Sequence, residues 1–404
     1  MRILSFLFVV ITFSLCTAPA KEDVLTDDEL RELSLELAHK YIVADGHVDI
    51  PYRLREEMED ISIRTEKGDF DYIRSKEGGL DAPFMSIYIP SEYQETGGSK
   101  ALADSLIDMV EGLVAKDPDK FALAFSPDMV EQNFKNELIS LPMGMENGAP
   151  VESDLGNLKH FFDRGIRYIT LTHARDNEIC DSSYDTTRTW NGVSPFGREV
   201  VAEMNQLGIM VDISHVSDSA FYQVMRITKA PAIASHSSCR AFTPGFERNM
   251  NDDMIKKLGE NGGVILINFG STFLDSVSVR KQLENERHIE RWLAENELNE
   301  KDSLALLYIN DYNAAHPMYS DVSVVADHID HVVSLAGIDH VGLGSDFDGV
   351  GDSLPNGLKD VSMYPNLIFE LLKRDYSEED IAKICSGNFF RVWREVENVA
   401  SSIR

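Results

Sequence analysis

The stretch VADGHVDIP (Val43–Pro51) places a histidine and an aspartate two residues apart at the end of a short apolar run. Alternate side chains of an extended strand lie on the same face, so His47 and Asp49 would point in the same direction. Imidazole and carboxylate groups are common metal ligands in proteins. The stretch therefore predicts a buried strand with a metal site at its end.

Seven further apolar runs follow along the chain. The eight runs cover residues 41–46, 83–90, 137–145, 166–172, 208–214, 230–235, 262–269 and 339–345. Most are separated by amphipathic stretches of helical period, such as 101–113, 194–207 and 252–262. Apolar strands that alternate with helices indicate a parallel sheet covered on both faces. Eight such units predict an α/β fold, a (β/α)8 TIM-type barrel, with an open doubly wound sheet as the alternative.

The domain organisation follows from what separates the runs. The segment 271–335 is longer than an ordinary connection and has a helical pattern, so we expect an inserted helical segment, a hairpin, before the last strand. No repeat, low-complexity tract or Pro/Gly/Ser linker divides the chain. Because α/β barrels of this size often form one unit, we expect a single (β/α)8 domain over residues 21–404.

The first 20 residues have the pattern of a secretory signal peptide. One arginine precedes an apolar run of roughly a dozen residues, and Ala18-Pro-Ala20 resembles a cleavage site. The run is shorter than the about 20 residues that cross a bilayer, which disfavours a membrane anchor. Attachment of a lipid to Cys16 is also disfavoured, because the bulky Leu15 precedes it. We expect a secreted or periplasmic protein, cleaved near Ala20, with no later membrane span.

Charge and cysteine content exclude several classes of protein. The formal net charge is −30, from 68 acidic and 38 basic residues, and a surface this acidic repels phosphate backbones and anionic lipid headgroups. Nucleic acid is therefore not an expected partner. Beyond the signal peptide only Cys180, Cys239 and Cys385 remain, an odd number without a close pair, so no disulfide framework is expected.

Ligand-type residues recur at the ends of the other predicted strands, where barrel active sites lie. They are Glu146 after the third run, His173 after the fourth, His215 after the fifth, His236 after the sixth and Asp346 after the eighth. A lone strand-end histidine is more often structural, and a lone carboxylate is often a helix N-cap. Four of the 11 histidines, however, directly follow four different runs, which predicts one shared metal site.

The ligand types also indicate which metal is bound. Imidazole and carboxylate groups without a thiolate favour zinc or a similar divalent transition ion, and Cys239 near His236 is interpreted as structural. The ligands outnumber the needs of one zinc ion, so two ions bridged by a shared carboxylate are expected. Asp348, two residues after Asp346, is interpreted as a supporting residue.

Several ordered motifs resemble the membrane (renal) dipeptidase family, dinuclear zinc peptidases of the amidohydrolase-type barrel superfamily. The motifs are DGHVD, GMEN, LTHARDN, DISHVS, ASHSSCRAF followed by ERNMNDD, HVGLGSDFDGV and the closing NFFRVW. The resemblance runs from about residue 35 to residue 400. It implies a metallopeptidase barrel, dipeptidase activity, two Zn²⁺ per chain and a homodimer.

The resemblance also implies a role for each residue. The first metal site falls on His47 and Asp49, the bridging carboxylate on Glu146, the second metal site on His215 and His236, substrate contacts on His173 and Arg248, and the catalytic aspartate on Asp346. In this scheme the ions supply a bridging hydroxide, Asp346 transfers the proton to the leaving amine, and His173 stabilises the oxyanion. Arg248 would hold a free α-carboxylate, which limits substrates to short peptides.

The expected function is therefore zinc-dependent hydrolysis of dipeptides that carry a free C-terminal carboxylate. The alternative is a dinuclear amidohydrolase that acts on another small amide, a lactam or an N-acyl amino acid. Members of that wider superfamily often have His-x-His after the first strand and a bridging lysine, whereas this chain has His-x-Asp and Glu146. A catalytically inactive barrel that only binds its ligand is the third hypothesis. The C-terminus, NVASSIR, has no hydrophobic tail, so a C-terminal lipid anchor is not expected.

Overall fold

The apolar runs form the strands of a closed parallel barrel in the computed structural model, which describes residues 25–403. The described residues contain ten strands: β1 (Val43–Val48), β2 (Leu80–Tyr88), β3 (Phe121–Leu123), β4 (Ile139–Leu141), β5 (Met143–Glu146), β6 (Ile166–Thr170), β7 (Met210–Asp212), β8 (Ile233–Ser237), β9 (Val264–Ile267) and β10 (Val341–Leu343). The order around the barrel is β1-β10-β9-β8-β7-β6-β5-β2, and every neighbouring pair is parallel. The predicted (β/α)8 barrel is confirmed.

Helices cover the outside of the barrel. The α-helices of the described chain are α1 (Asp27–Lys40), α2 (Ile50–Glu56), α3 (Tyr72–Gly78), α4 (Tyr93–Thr96), α5 (Ser99–Lys116), α6 (Pro127–Lys135), α7 (Gly156–Asp163), α8 (Pro195–Leu207), α9 (Asp218–Ile227), α10 (Asp252–Glu260), α11 (Ser271–Leu274), α12 (Ser276–Glu295), α13 (Ser303–Ala315), α14 (Val322–Ala336), α15 (Tyr364–Leu372), α16 (Glu378–Ala382) and α17 (Asn388–Ile403). Several of them begin at a side chain that caps the first turn, as Ser194, Ser217 and Asn251 do for α8, α9 and α10. These caps fix where each strand-end loop stops and its helix begins.

The third apolar run, residues 137–145, differs from the expected single strand. It contains two short strands, β4 and β5, with Pro142 between them. Proline has no backbone N–H for a ladder, although its carbonyl oxygen still accepts a hydrogen bond from the Met85 amide at 2.8 Å. Only β5 joins the barrel, and β4 pairs with β3 in a separate two-stranded sheet.

The predicted insertion, residues 271–335, contains four helices, and they do not all lie in the same part of the fold. Helices α12 and α13 contact each other and form the expected hairpin. Helix α14 instead packs against β9, β10 and α10, so it belongs to the outer layer of the barrel. The inserted segment is therefore shorter than its sequence pattern indicated.

A compact apolar cluster joins six barrel strands to the last helix. It includes Phe84 of β2, Tyr168 of β6 and, from α17, Phe389 and Trp393. The ring of Phe84 lies 4.8 Å from that of Phe389 and 5.1 Å from that of Trp393, centroid to centroid. A Cβ atom at Gly144 of β5 would lie 2.0 Å from the Tyr168 ring, so only glycine leaves room for this tyrosine.

The predicted signal peptide and Cys16 lie outside the described residues. Within residues 25–403 no helix is both long and apolar enough to cross a membrane. The cysteines of this part of the chain, Cys180, Cys239 and Cys385, are all buried and unpaired, as expected.

Candidate active site

The carboxylate of Glu146 lies at the centre of a cluster at the C-terminal ends of the strands. Its Oε2 atom is 3.4 Å from Nε2 of His47, which belongs to β1. Its Oε1 atom is 3.0 Å from Nε2 of His215, in the loop after β7, and 3.2 Å from Nε2 of His236 in β8. The two oxygens of one carboxylate therefore face different sets of histidines.

Three further predicted residues join this cluster. Asp49 lies 3.5 Å from His47, measured between Oδ2 and Nε2. Nε2 of His173 is 3.7 Å from Oε1 of Glu146. Three overlapping groups offer ligand atoms within 4.8 Å of one another: His47, Glu146 and His236; Glu146, His173 and His215; and His47, Asp49 and Asp346. Asp49 precedes helix α2 but makes no side-chain cap hydrogen bond, so helix capping does not explain it.

Two of these residues have an unfavourable backbone conformation. The φ angle is 67° for His215 and 65° for Asp346. Left-handed backbone at a residue other than glycine costs on the order of 1–3 kcal/mol and is concentrated at functional sites. In this structure it accompanies the two strand-end loops that direct a histidine and an aspartate toward Glu146.

The cluster fits a divalent metal ion. Nε2 of His47 and Oδ1 of Asp49 are buried and have no hydrogen-bond partner in the described chain. The Nε2 atoms of His215 and His236 face each other at 2.9 Å. Burial holds the pKa of His215 well below its usual range, and burial together with His47 lowers the pKa of His236 to about 3. Both rings are therefore neutral at neutral pH, and neutral imidazole is the form that binds a metal.

Charge on the carboxyl groups is divided unequally. Burial raises the pKa of Glu146, but His47 and His173 beside it outweigh that effect and hold the pKa well below its usual range. Burial and the nearby Asp49 carboxylate raise the pKa of Asp346 to about 7. Glu146 is therefore an anion suited to bind cations, and Asp346 is suited to exchange a proton.

Arg248, a predicted substrate contact, is buried beside the cluster with 3% of its surface exposed. Its Nη1 donates to Oγ of Ser237 and its Nη2 donates to the carbonyl oxygen of His236, each at 2.7 Å. Its Nε is buried without a hydrogen-bond partner. No aspartate or glutamate of residues 25–403 forms an ion pair with this guanidinium. A buried cation without a counter-ion is costly unless an anionic ligand binds to it.

A large cavity opens over the cluster. Its volume is about 1070 Å³, and Glu146, His173 and Asp346 lie at its floor. Its walls include the aromatic residues Tyr52, Tyr88, Tyr184, Phe273 and Tyr319, and the inserted hairpin contributes part of the rim. A cavity of this size holds a small-molecule substrate with room to spare.

Comparison with known proteins agrees with this geometry. The sequence model of the membrane dipeptidase family (peptidase family M19) matches residues 31–404. The chain belongs to this family. This chain is accordingly an enzyme that hydrolyses peptide bonds. A solved dipeptidase of family M19 that is 26% identical is described as a metallopeptidase, and together with the clusters of ligand-type residues this indicates a metal cofactor.

Individual relatives of this chain are also named as dipeptidases. An uncharacterized dipeptidase of Schizosaccharomyces pombe is 32% identical over 389 residues, which cover 92% of this chain and 85% of that protein. Dipeptidase 3 of Mus musculus is 31% identical over 383 residues, which cover 93% of this chain and 68% of that protein. The crystal structure of the probable dipeptidase PvdM from Pseudomonas aeruginosa is similar with a TM-score of 0.79 and 25% identity, over 92% of this chain and 99% of that one.

Some residues that support the dipeptidase site were missed in the sequence. Nδ1 of His47 lies 2.8 Å from the hydroxyl of Tyr168, and Oδ2 of Asp346 accepts a hydrogen bond from Nδ2 of Asn268 at 2.7 Å. Asn268 lies within the seventh apolar run, residues 262–269, directly after the last residue of β9, and no candidate was predicted at that strand end. Its position at a strand end was the signal that could have found it.

Asp348 is bound outside the cluster, as expected for a supporting residue. Its Oδ2 accepts a hydrogen bond from Nε of Arg53 at 3.0 Å, and its Oδ1 accepts one from the Asp69 amide at 2.6 Å. The Asp348 amide in turn donates to the Asp69 carboxylate. These contacts tie the loop that carries Asp346 to the loop after α2.

Proposed function

We propose that the protein is a dinuclear zinc dipeptidase that hydrolyses dipeptides with a free C-terminal carboxylate. The observation that carries the proposal is the division of the Glu146 carboxylate, whose Oε2 faces His47 while its Oε1 faces His215 and His236. A carboxylate with ligand sets on both sides is suited to bridge two ions. His47 and Asp49 would hold one ion, and the two later histidines would hold the other.

The bound ions would lower the pKa of water, supply a hydroxide nucleophile at neutral pH and polarise the scissile carbonyl. The chain's own residues then handle protons and charge. Asp346 lies at the cavity floor with Oδ2 fixed by Asn268, and it would accept the proton of the attacking water and deliver it to the leaving amine. Its pKa of about 7 suits both steps.

His173 would stabilise the oxyanion that forms on the scissile carbonyl. It lies between the cluster and the cavity, with its ring 4.3 Å from that of His215 and 4.9 Å from that of Tyr88, centroid to centroid. Burial lowers its pKa, so the ring is a neutral hydrogen-bond donor at neutral pH. Its Nδ1 has no hydrogen-bond partner in the described chain, which leaves the ring free to adjust to a substrate.

Arg248 would bind the α-carboxylate of the substrate. Guanidinium has five N–H donors, and two of its nitrogens use one each on Ser237 and His236, which leaves three. A carboxylate could accept two of these in a planar contact. The cost of the unpaired buried charge supports an anionic partner at this point.

Metal content and substrate range test the proposal together. Purified protein should contain two zinc ions per chain, and Glu146→Ala should lower the occupancy of both sites. Glu95→Ala, which removes a carboxylate that is 72% exposed, is the matched control and should keep both ions. One tightly bound ion that survives in Glu146→Ala would contradict the dinuclear site.

The substrate panel should contain dipeptides, a tripeptide, a C-terminally amidated dipeptide and an N-acyl amino acid, each with and without a chelator. We expect chelator-sensitive hydrolysis of the free dipeptides only. Preferred hydrolysis of the N-acyl amino acid or of another small amide would favour the broader amidohydrolase function instead.

We also propose that the enzyme acts outside the cytoplasm, which rests on the signal-peptide pattern of residues 1–20. Sequencing of the N-terminus of protein purified from the native host should begin near residue 21. Retention of Met1 would contradict export by this route. The homodimer that the family resemblance implies remains a prediction, and light scattering of the purified protein tests it.

A further inference from the structure

Asp212, at the end of β7, is a fully buried carboxylate that accepts four hydrogen bonds. Its Oδ1 accepts from the backbone amides of Ser214 at 3.0 Å and Ser235 at 2.9 Å. Its Oδ2 accepts from the hydroxyl of Thr170 and from the hydroxyl of Ser235, the latter at 2.6 Å. The proposed mechanism gives this residue no role, although it precedes His215 by three residues and accepts hydrogen bonds from Ser235, the neighbour of His236.

The Ser235 hydroxyl continues the chain of hydrogen bonds to His236. Its oxygen lies 2.7 Å from Nδ1 of His236. These two residues are consecutive in β8, at a point where the register of the β8–β9 pairing shifts between Ala234 and Ser237. Consecutive side chains of a regular strand point to opposite faces, and here they are in contact.

The direction of each hydrogen bond follows from the available protons. A hydroxyl has one proton, and the four groups around the Asp212 carboxylate all donate to it, so the Ser235 hydroxyl donates its proton to Asp212. Toward His236 the same oxygen can therefore only accept, which requires the proton of the ring to be on Nδ1. The lone pair of Nε2 then points at Oε1 of Glu146 and at His215.

We propose that Asp212 and Ser235 are positioning residues that hold His236 in the tautomer able to bind a metal through Nε2. The proposal rests on the metal site of the proposed function and identifies which residues control one half of it. Hydrogen bonds from the second ring nitrogen typically contribute 10–100-fold to metal affinity. Nδ1 of His215 is buried without a hydrogen-bond partner in the described chain. Of His215 and His236, only His236 therefore has a hydrogen bond at Nδ1 that orients its ring.

The variant Asp212→Asn tests the direction of the hydrogen bonds from Asp212 through Ser235 to His236, and not only their presence. Two backbone amides donate to Oδ1, so the amide oxygen of the asparagine must occupy that position. Its NH2 group then faces Ser235 and donates to the hydroxyl oxygen. The Ser235 proton must turn toward Nδ1 of His236, which moves the ring proton to Nε2 and blocks metal binding there.

Zinc titrations at buffered free-metal concentrations give the readout. Asp212→Asn should bind one ion normally and the second about 10–100-fold more weakly than the wild type. Ser235→Ala, which removes the acceptor for Nδ1 but leaves the tautomer free, should weaken the same ion less. Thr170→Val is the matched control, because it removes the other hydroxyl on Oδ2 without touching the path to His236, and it should keep wild-type affinity for both ions.

Cobalt substitution identifies the site that changes. The visible absorption of the second Co²⁺ to bind should be altered in Asp212→Asn and unchanged in Thr170→Val. Circular dichroism and thermal unfolding of the metal-free proteins establish that each variant folds, and Ser235→Ala alone decides the test if Asp212→Asn does not fold.

The proposal would be overturned if Asp212→Asn and Ser235→Ala bound each of the two ions with the same affinity as the wild type. So would an equal loss in Thr170→Val, since that would indicate general damage. A wild-type content below two ions contradicts the dinuclear function separately. The positioning role of Asp212 and Ser235 is then tested on the remaining ion by the same comparison of Asp212→Asn with Thr170→Val.

Discussion

Removal of the Arg248 guanidinium should discriminate between substrates according to whether they carry a free carboxylate. The guanidinium is buried, has no counter-ion in the described chain and retains three N–H donors after its contacts with Ser237 and His236. A hydrogen bond to a charged group contributes about 1.5–3 kcal/mol. At 1.4 kcal/mol per tenfold, Arg248→Ala should lower kcat/KM for a free dipeptide by about 10–150-fold. A C-terminally amidated dipeptide lacks the anion and should be a poor substrate of both proteins.

The ratio of the two kcat/KM values within one preparation is the quantity to measure. Arg248→Ala leaves Oγ of Ser237 and the carbonyl of His236 without their donor, so some loss of stability is expected. The ratio does not depend on the fraction of active enzyme, and it therefore isolates the carboxylate contact. Arg240→Ala is the matched control, because Arg240 belongs to the same loop but is neutralised by Asp218, with N–O distances of 2.8 and 2.6 Å.

Arg240→Ala should change both substrates by the same factor and leave the ratio as in the wild type. Arg248→Lys should fall between wild type and Arg248→Ala, since it keeps the charge but loses the planar pair of donors. If the ratio is the same in wild type and Arg248→Ala, the guanidinium does not bind the substrate carboxylate.

Three other residues give shorter tests. Asp346→Asn should keep both metal ions but lose turnover by about 10²–10⁴-fold in steady-state kinetics, and a loss below about tenfold would assign the proton transfer to another group. In Gly349→Ala the new Cβ would lie 2.2 Å from Oδ2 of Asp49 and 2.3 Å from Oδ1 of Asp346, so metal analysis should find zinc depleted, and full occupancy would show that the loop yields easily. Burial raises the pKa of Asp81 to about 7, so wild-type stability is lost as pH rises from the unfolded value of 3.8 through 7. In urea unfolding, the free energy of unfolding of Asp81→Asn relative to that of the wild type should rise by about 2–3 kcal/mol between pH 5 and pH 8. A difference that stays constant over this range would indicate that Asp81 titrates normally.

The barrel and the position of the candidate site could be predicted from the sequence because both follow from one rule. Parallel strands bring their C-terminal ends to one edge, so residues such as His47 and His236, far apart in the chain, meet there. The break at Pro142 was missed because an apolar run does not reveal which of its residues pair with which neighbour. Asp212 was visible as a carboxylate within a buried strand, but its role depends on hydrogen bonds across three strands, and no local pattern encodes them.

The last three residues of β8 connect the proposed metal site to the proposed carboxylate-binding site. The Ser235 hydroxyl contacts Nδ1 of His236, while the His236 carbonyl and the Ser237 hydroxyl accept hydrogen bonds from Arg248. One short buried segment thus carries His236 and both hydrogen-bond acceptors of the Arg248 guanidinium, so these two hydrogen bonds set the distance between the proposed metal ligand and the proposed carboxylate-binding group. One additional residue in the substrate would move its carboxylate by about 3.3–3.6 Å, more than a hydrogen bond tolerates. On this reasoning, substrate length is controlled by the end of β8, and a tripeptide should be rejected even though the cavity above the site has room for it.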